Sequence, residues 1–287
     1  MAVRSASAMS RSVRIALLPA LVLLAACGDE ATVDVPEEAL TTADAVADAM
    51  LQRYESNLGD VEAFTVVAEG AEARYTLSED TTGLDRYGTP QVGPADDGPP
   101  PAPAAQLLFV QVPNVPRLAA GLRTATLTGP LSRDGRRAYG LTTDDPGALF
   151  GEPGLAAPDT TETREFRVYV DAAAFDVIEI YQIVMADTLR QPITSRLIYS
   201  DFQETDGVVL PHTVRQVETG LHLAMADADR MVMGGQLGIA RERLLMEPQS
   251  AERDAQIADI EAQQRLVADG ISELTLTVDA VRVGPEE

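Results

Sequence analysis

The chain has 287 residues, 45% of them hydrophobic, with 22 basic side chains against 45 acidic ones and a formal charge of −23. That is enough chain to bury a core, in one large domain or two small ones, and too apolar to be wholly disordered; the acid excess excludes nucleic-acid binding through a broad basic surface. All the basic residues apart from His212 and His222 are Arg, so Schiff-base and P-loop lysine chemistry are excluded, two histidines argue against a multi-His metal site, and a single Cys forbids an intrachain disulfide.

Arg4, Arg11 and Arg14 precede an apolar run at 15–26, and no acid occurs before residue 27. A basic n-region and a short h-region make a secretory signal, and twelve residues are too few to span a bilayer as a helix, which needs about 20. The run ends Leu24-Ala25-Ala26-Cys27. This resembles the bacterial lipobox, which implies cleavage after residue 26 and lipidation of Cys27. Acyl chains of the palmitate type each contribute about 0.8 kcal/mol per buried methylene, so a multiply acylated Cys is a durable anchor. Cleavage removes three Arg and leaves the mature chain at about −26, so lipid and not charge must hold it to a membrane. Residues 27–42 are the lipidated Cys and an acidic tether. Gly28, not Asp, follows Cys27, which among bacterial lipoproteins points to the outer membrane, facing the periplasm.

Residues 43–287 are expected to form one domain. Thr41 or Thr42 caps a helix carrying Val46, Met50, Leu51, Tyr54 and Leu58 at helical spacing, ended by Gly59. Strands are expected at 61–69 and 73–78, joined at Gly70. From 88 to 103, nine of 16 residues are Gly or Pro, so no ladder runs through it, and 83–105 reads as a surface loop. The run 107–112 reads as a short apolar strand confined by Pro113 and Pro116. Residues 118–131 are ambiguous, with a strand open at 124–128, and 136–142 is a clearer strand after an Asp134-Gly135 turn. Residues 144–162 read as loop. Strands at 166–171, 177–185, 193–202 and 208–217, with a turn at Asp206-Gly207, imply an antiparallel meander. Apolar residues lose their alternation over 222–246, where Gly234 and Gly235 weaken any helix. A charged helix at 250–269 ends at Gly270, and a strand at 272–283 carries a phase slip at Asp279-Ala280 that fits a bulge.

The phrase Asp206-Gly207-Val208-Val209-Leu210-Pro211, set between strands and preceded by an opening helix, resembles the outer-membrane lipoprotein-sorting (LolA/LolB-like) proteins over roughly residues 43–283. The resemblance implies an α+β fold: a curved antiparallel sheet forming an incomplete β-barrel covered by helices, with an apolar hollow for acyl chains. The expected lining is Phe64, Val66, Tyr75, Leu77, Phe166, Val168, Ile180, Leu197, Tyr199, Leu274 and Leu276; each is equally readable as ordinary core.

No Gly-x-Ser-x-Gly, EF-hand or dinucleotide motif occurs, and His212, after Pro211 in a strand-like run, reads as a turn or edge imidazole. No catalytic residue, metal ligand or cofactor is assigned, and an enzyme is not expected. The sequence therefore points to a membrane-anchored envelope lipoprotein that binds a hydrophobic ligand, a lipid or a lipoprotein acyl chain, in lipoprotein sorting or envelope maintenance. The alternative is a regulatory or structural envelope lipoprotein that binds a protein partner and holds no ligand. The oligomeric state is left open.

Overall fold

The computed structural model describes residues 39–78, 87, 89–95, 101–145, 162–186 and 191–284. Cys27, the signal segment, most of the tether, much of the Pro-rich loop and most of 144–162 lie outside the described residues. Val35–Glu287 cluster as one compact unit.

The fold is α+β, built on one ten-stranded antiparallel sheet with helices. Helix α1 (Ala43–Leu58) is followed by β1 (Ala63–Ala68), β2 (Ala71–Thr76) and β3 (Gln91–Pro94). A 3-10 turn (Pro103–Phe109) and helix α2 (Val115–Leu122) come next. The meander β4 (Thr126–Arg133), β5 (Arg136–Thr143), β6 (Glu162–Asp171), β7 (Val177–Ala186), β8 (Ile193–Thr205) and β9 (Val208–Thr219) follows. After a second 3-10 turn (Leu221–Ala224), helices α3 (Asp227–Leu245) and α4 (Ala251–Asp269) lead into β10 (Ser272–Val283).

The strand order is β3-β2-β1-β10-β9-β8-β7-β6-β5-β4. The last strand thus joins the N-terminal hairpin to the meander, and the sheet does not close, since β3 and β4 are its edges. Three tight hairpins drive this local order. Glu69-Gly70, Asp134-Gly135 and Asp206-Gly207 all have positive φ at both residues, the backbone that matches strand twist and that Asp-Gly supplies at low cost. The slip expected near 279 is there: Val67 faces Ala280 while Ala68 faces Val278, so Asp279 is the bulged residue.

One face of the sheet, the inner one, is covered by α1, the first 3-10 turn and α2, and the buried core lies between them. The outer face carries a small second cluster of Ala138, Tyr169 and Ile178.

Four expectations change. Residues 91–94, inside the Gly- and Pro-rich stretch expected to carry no ladder, form β3 and pair with Ala71–Arg74 of β2; the pairing is tolerated because β3 is an edge strand, where a proline needs no partner on its outer side. The run 107–112 is not a strand. Its residues fall in the 3-10 turn and the stretch after it, because Leu107 and Leu108 are buried against the inner face, and a short apolar run has no period to separate strand from buried turn. Residues 118–122 complete α2, whose N-cap Asn114 accepts from the Arg117 N–H and whose first turn takes Pro116. Most of 222–246 is helical, α3, despite Gly234, Gly235 and Gly238.

Candidate functional site

Ten of the eleven expected lining residues lie together on the inner face. Phe64, Val66, Tyr75, Phe166, Val168, Ile180, Tyr199 and Leu276 are buried in the core, and Leu197 and Leu274 pack against it half-buried. Leu77 is not among them: it lies past the end of β2, paired to Tyr87 by an isolated bridge, and is exposed. Alternation along the strands explains the grouping, since residues two apart share a face.

These side chains meet the protein's own helices. Met50, Tyr54 and Leu58 of α1, Leu107 and Leu108 of the 3-10 turn, and Leu118 and Leu122 of α2 complete the same cluster. Polar bonds fix this filling in place. The Tyr75 hydroxyl donates to the Leu108 carbonyl, the Tyr199 hydroxyl donates to the Val110 carbonyl at 3.0 Å, and Gln111 Nε2 donates to the Pro211 carbonyl at 2.7 Å. Burial raises the pKa of both phenols, that of Tyr75 further pushed by Tyr199, so they stay neutral donors. Asn57 closes the far end of α1 with a two-way bond to Val209: its Nδ2 donates to the carbonyl at 2.7 Å and its Oδ1 accepts from the amide at 2.6 Å. Arg53 reaches Asp176 at 3.0 Å; burial raises the Asp176 carboxyl above its usual range, against the pull of that guanidinium.

One opening among the described residues lies at the end of the sheet where α1 finishes. A groove of about 400 Å³ is bordered by Tyr54, Tyr75, Tyr87, Phe109, Val112 and Pro113, with Ser78, Thr89 and Asn114 giving it polar edges. Phe64 stacks on Tyr75 with centroids 4.7 Å apart and meets Tyr87 edge-on at 5.2 Å, so two of the rim tyrosines pack on a buried core ring. Phe109 stands 51% exposed at this rim. A tighter apolar cavity of about 40 Å³ adjoins it, sharing Tyr54, Val112 and Pro113.

The outer face holds a feature that the sequence reading missed. Glu179 is 1% exposed and takes three charge-assisted bonds, from Arg133 Nε (2.6 Å) and Nη2 (2.7 Å) and from Arg196 Nε (2.6 Å). Arg133 also lies 4.4 Å above the Tyr169 ring. Burial pushes the Glu179 carboxyl up, but the two arginines outweigh it and hold it below its ordinary value. Only an acid on an otherwise apolar strand (Val177-Ile178-Glu179-Ile180) hinted at this in the sequence.

His212 lies within β9, and His222 packs so tightly on Gly270 that a Cβ there would fall 1.9 Å from its Nδ1. Among the described residues no group of His, Cys, Asp and Glu is placed to hold a metal ion, and no helix is long and apolar enough to cross a membrane. Compared with protein-family models, curated proteins and solved structures, the chain matches none.

Proposed function

We propose that this protein is a lipid-anchored envelope protein, moored through Cys27 in the outer membrane on the periplasmic side, that acts by binding and not by catalysis. Its sheet serves as a LolA/LolB-like half-barrel whose interior is already occupied, and it recognises an apolar segment of a partner protein at the aromatic groove beside Phe109. The observation that carries this reading is the inner face itself. Where a carrier would hold its guest, α1, the 3-10 turn and α2 are packed and hydrogen-bonded into place. The groove left at one end is a ligand-sized cleft of about 400 Å³, room for a short segment of a partner, and exposed aromatic residues are frequent anchors of protein recognition.

A second reading, a carrier of lipid or lipoprotein acyl chains, is favoured by the open topology of a sheet with one apolar face. It requires the 103–113 segment to leave, breaking the bonds from Tyr75, Tyr199 and Gln111. Native mass spectrometry of the full chain extracted from membranes separates the two. The expected mass is the mature chain with acylated Cys27 and no further lipid; a stoichiometric non-covalent lipid selects the carrier. A photo-crosslinker at Phe109 in intact cells is expected to give one discrete protein adduct, absent when it is placed at Glu204. Cys27→Ser is expected to release the protein from the membrane fraction.

A further inference from the structure

Helix α3 is apolar on two opposite sides, and among the described residues only one of them is covered. Gly234, Leu237, Arg241 and Leu244 share the side that faces α4: a Cβ on Gly234 would lie 3.9 Å from Val267, and Arg241 bridges to Glu261 at 2.8 Å. On the opposite side Val232, Ile239 and Met246 recur every seven residues, with Met231 beside them, and stand 59%, 62%, 82% and 77% exposed. The stripe is about 21 Å long at the helical rise. No side chain of α3 is buried.

We propose that this stripe rests on the surface of the lipid bilayer that carries the anchor, so that the hairpin of α3 and α4 is a second membrane contact. The inference rests on the mooring proposed for Cys27. Two observations choose a bilayer as the occupant. The first is where the chain enters. One cross-strand row runs Thr126, Thr142, Arg167, Tyr181, Arg196, Val217, Glu273. The α3–α4 hairpin springs from the end of β9 and the start of β10, just beyond that row. At the same end Arg123, three residues before β4, holds Asp44 and Asp48 in the opening turns of α1. Fifteen residues separate Cys27 from Ala43, at most about 50 Å of chain, so a bilayer holding Cys27 lies within tether reach of this end. The second is side-chain chemistry. The hairpin is acidic, with nine carboxylates against five Arg over residues 227–269, so attraction to anionic headgroups does not hold it; the contact is made by the stripe itself, whose methionine, valine and isoleucine side chains suit the headgroup–acyl boundary.

The chain contains no Trp, so I239W introduces a unique fluorophore at an exposed position. The full lipidated chain is placed in vesicles of phosphatidylethanolamine and phosphatidylglycerol, with and without brominated acyl chains, and compared with E204W on the opposite end of the sheet. The expected result is a blue-shifted, bromolipid-quenched indole for I239W and a water-exposed, unquenched one for E204W. Adding V232D to I239W is expected to abolish the shift while the chain still floats with the vesicles. Equal quenching at both positions, or quenching that survives V232D, overturns the proposal. So does an indole shielded from aqueous acrylamide yet untouched by bromolipid, which would mean a second copy or another protein covers the stripe. A chain that does not float at all refutes the mooring itself; one that floats with an exposed I239W indole refutes only the hairpin contact.

Discussion

Helices α1 and α3 are of similar length, 16 and 19 residues, yet six side chains of α1 are buried and none of α3. Apolar content does not separate them, since α3 carries Met231, Val232, Met233, Leu237, Ile239, Leu244 and Leu245. The difference lies in arrangement. In α1 the apolar residues Val46, Ala47, Met50, Tyr54 and Leu58 form one stripe that lands on the inner face of a ten-stranded sheet. In α3 they are divided between two sides, and among the described residues α4 covers one of them. Burial of a helix is thus a property of the surface it meets as much as of its own sequence.

That contrast sets an order of expected effects. Met50→Ala opens a cavity in the fully buried stripe of α1 and is expected to cost about 2–5 kcal/mol, read as a lower urea midpoint with an unchanged slope. The outer face lies between the two helices in burial. There Glu179→Gln keeps the volume but gives up bonds to two guanidinium groups, at an expected cost of about 1.5–3 kcal/mol at neutral pH. Because the folded state holds the Glu179 carboxyl below its ordinary value of 4.5, its contribution is complete above that value and is lost as pH falls through the lower folded one. The gap between wild type and Glu179→Gln should therefore be flat well above the ordinary value of 4.5 and narrow as the pH falls below it; a gap that widens with acid would contradict the assignment. Gly235→Ala sharpens the comparison from the other side. An added Cβ meets nothing within 4 Å, so the helix should gain up to about 1 kcal/mol, seen as slower amide exchange in α3. Ile239→Ala should change stability by no more than about 0.5 kcal/mol in the lipid-free chain. A loss as large as that of Met50→Ala would show that the stripe is covered within the chain after all.

Much of the sheet was legible because its signals are local. The Asp-Gly turns at 134 and 206 and the alternation of Phe166, Val168 and Val170 each specify geometry within a few residues. Ser250 and Gly270 bracket α4 for the same reason, as side-chain N-cap and left-handed C-cap. The bulge was readable because the apolar phase of β10 slips at Asp279. The insertion of β10 between β1 and β9 was not, since it joins segments some 200 residues apart and no local pattern encodes such pairing. The filling of the inner face was equally hidden: Leu107-Leu108-Phe109-Val110 has the composition of a strand, and only the tyrosines and the glutamine that hold it in place decide otherwise. For the groove, Tyr75 was named from alternation, whereas Phe109 and Tyr87 come to it through contacts distant in sequence. The stripe of α3 was masked by three glycines that lower helix propensity without preventing the helix.

An unclosed sheet leaves two lips of unpaired amides and carbonyls, each a template for adding a strand from a neighbouring molecule. Both lips are interrupted by proline. β3 is only four residues long, follows Pro90 and ends at Pro94, and β4 carries Pro130 beside a break in its pairing with β5. Proline offers no amide hydrogen to an incoming strand, so molecules crowded together are steered away from edge-to-edge polymerisation without the sheet having to seal itself.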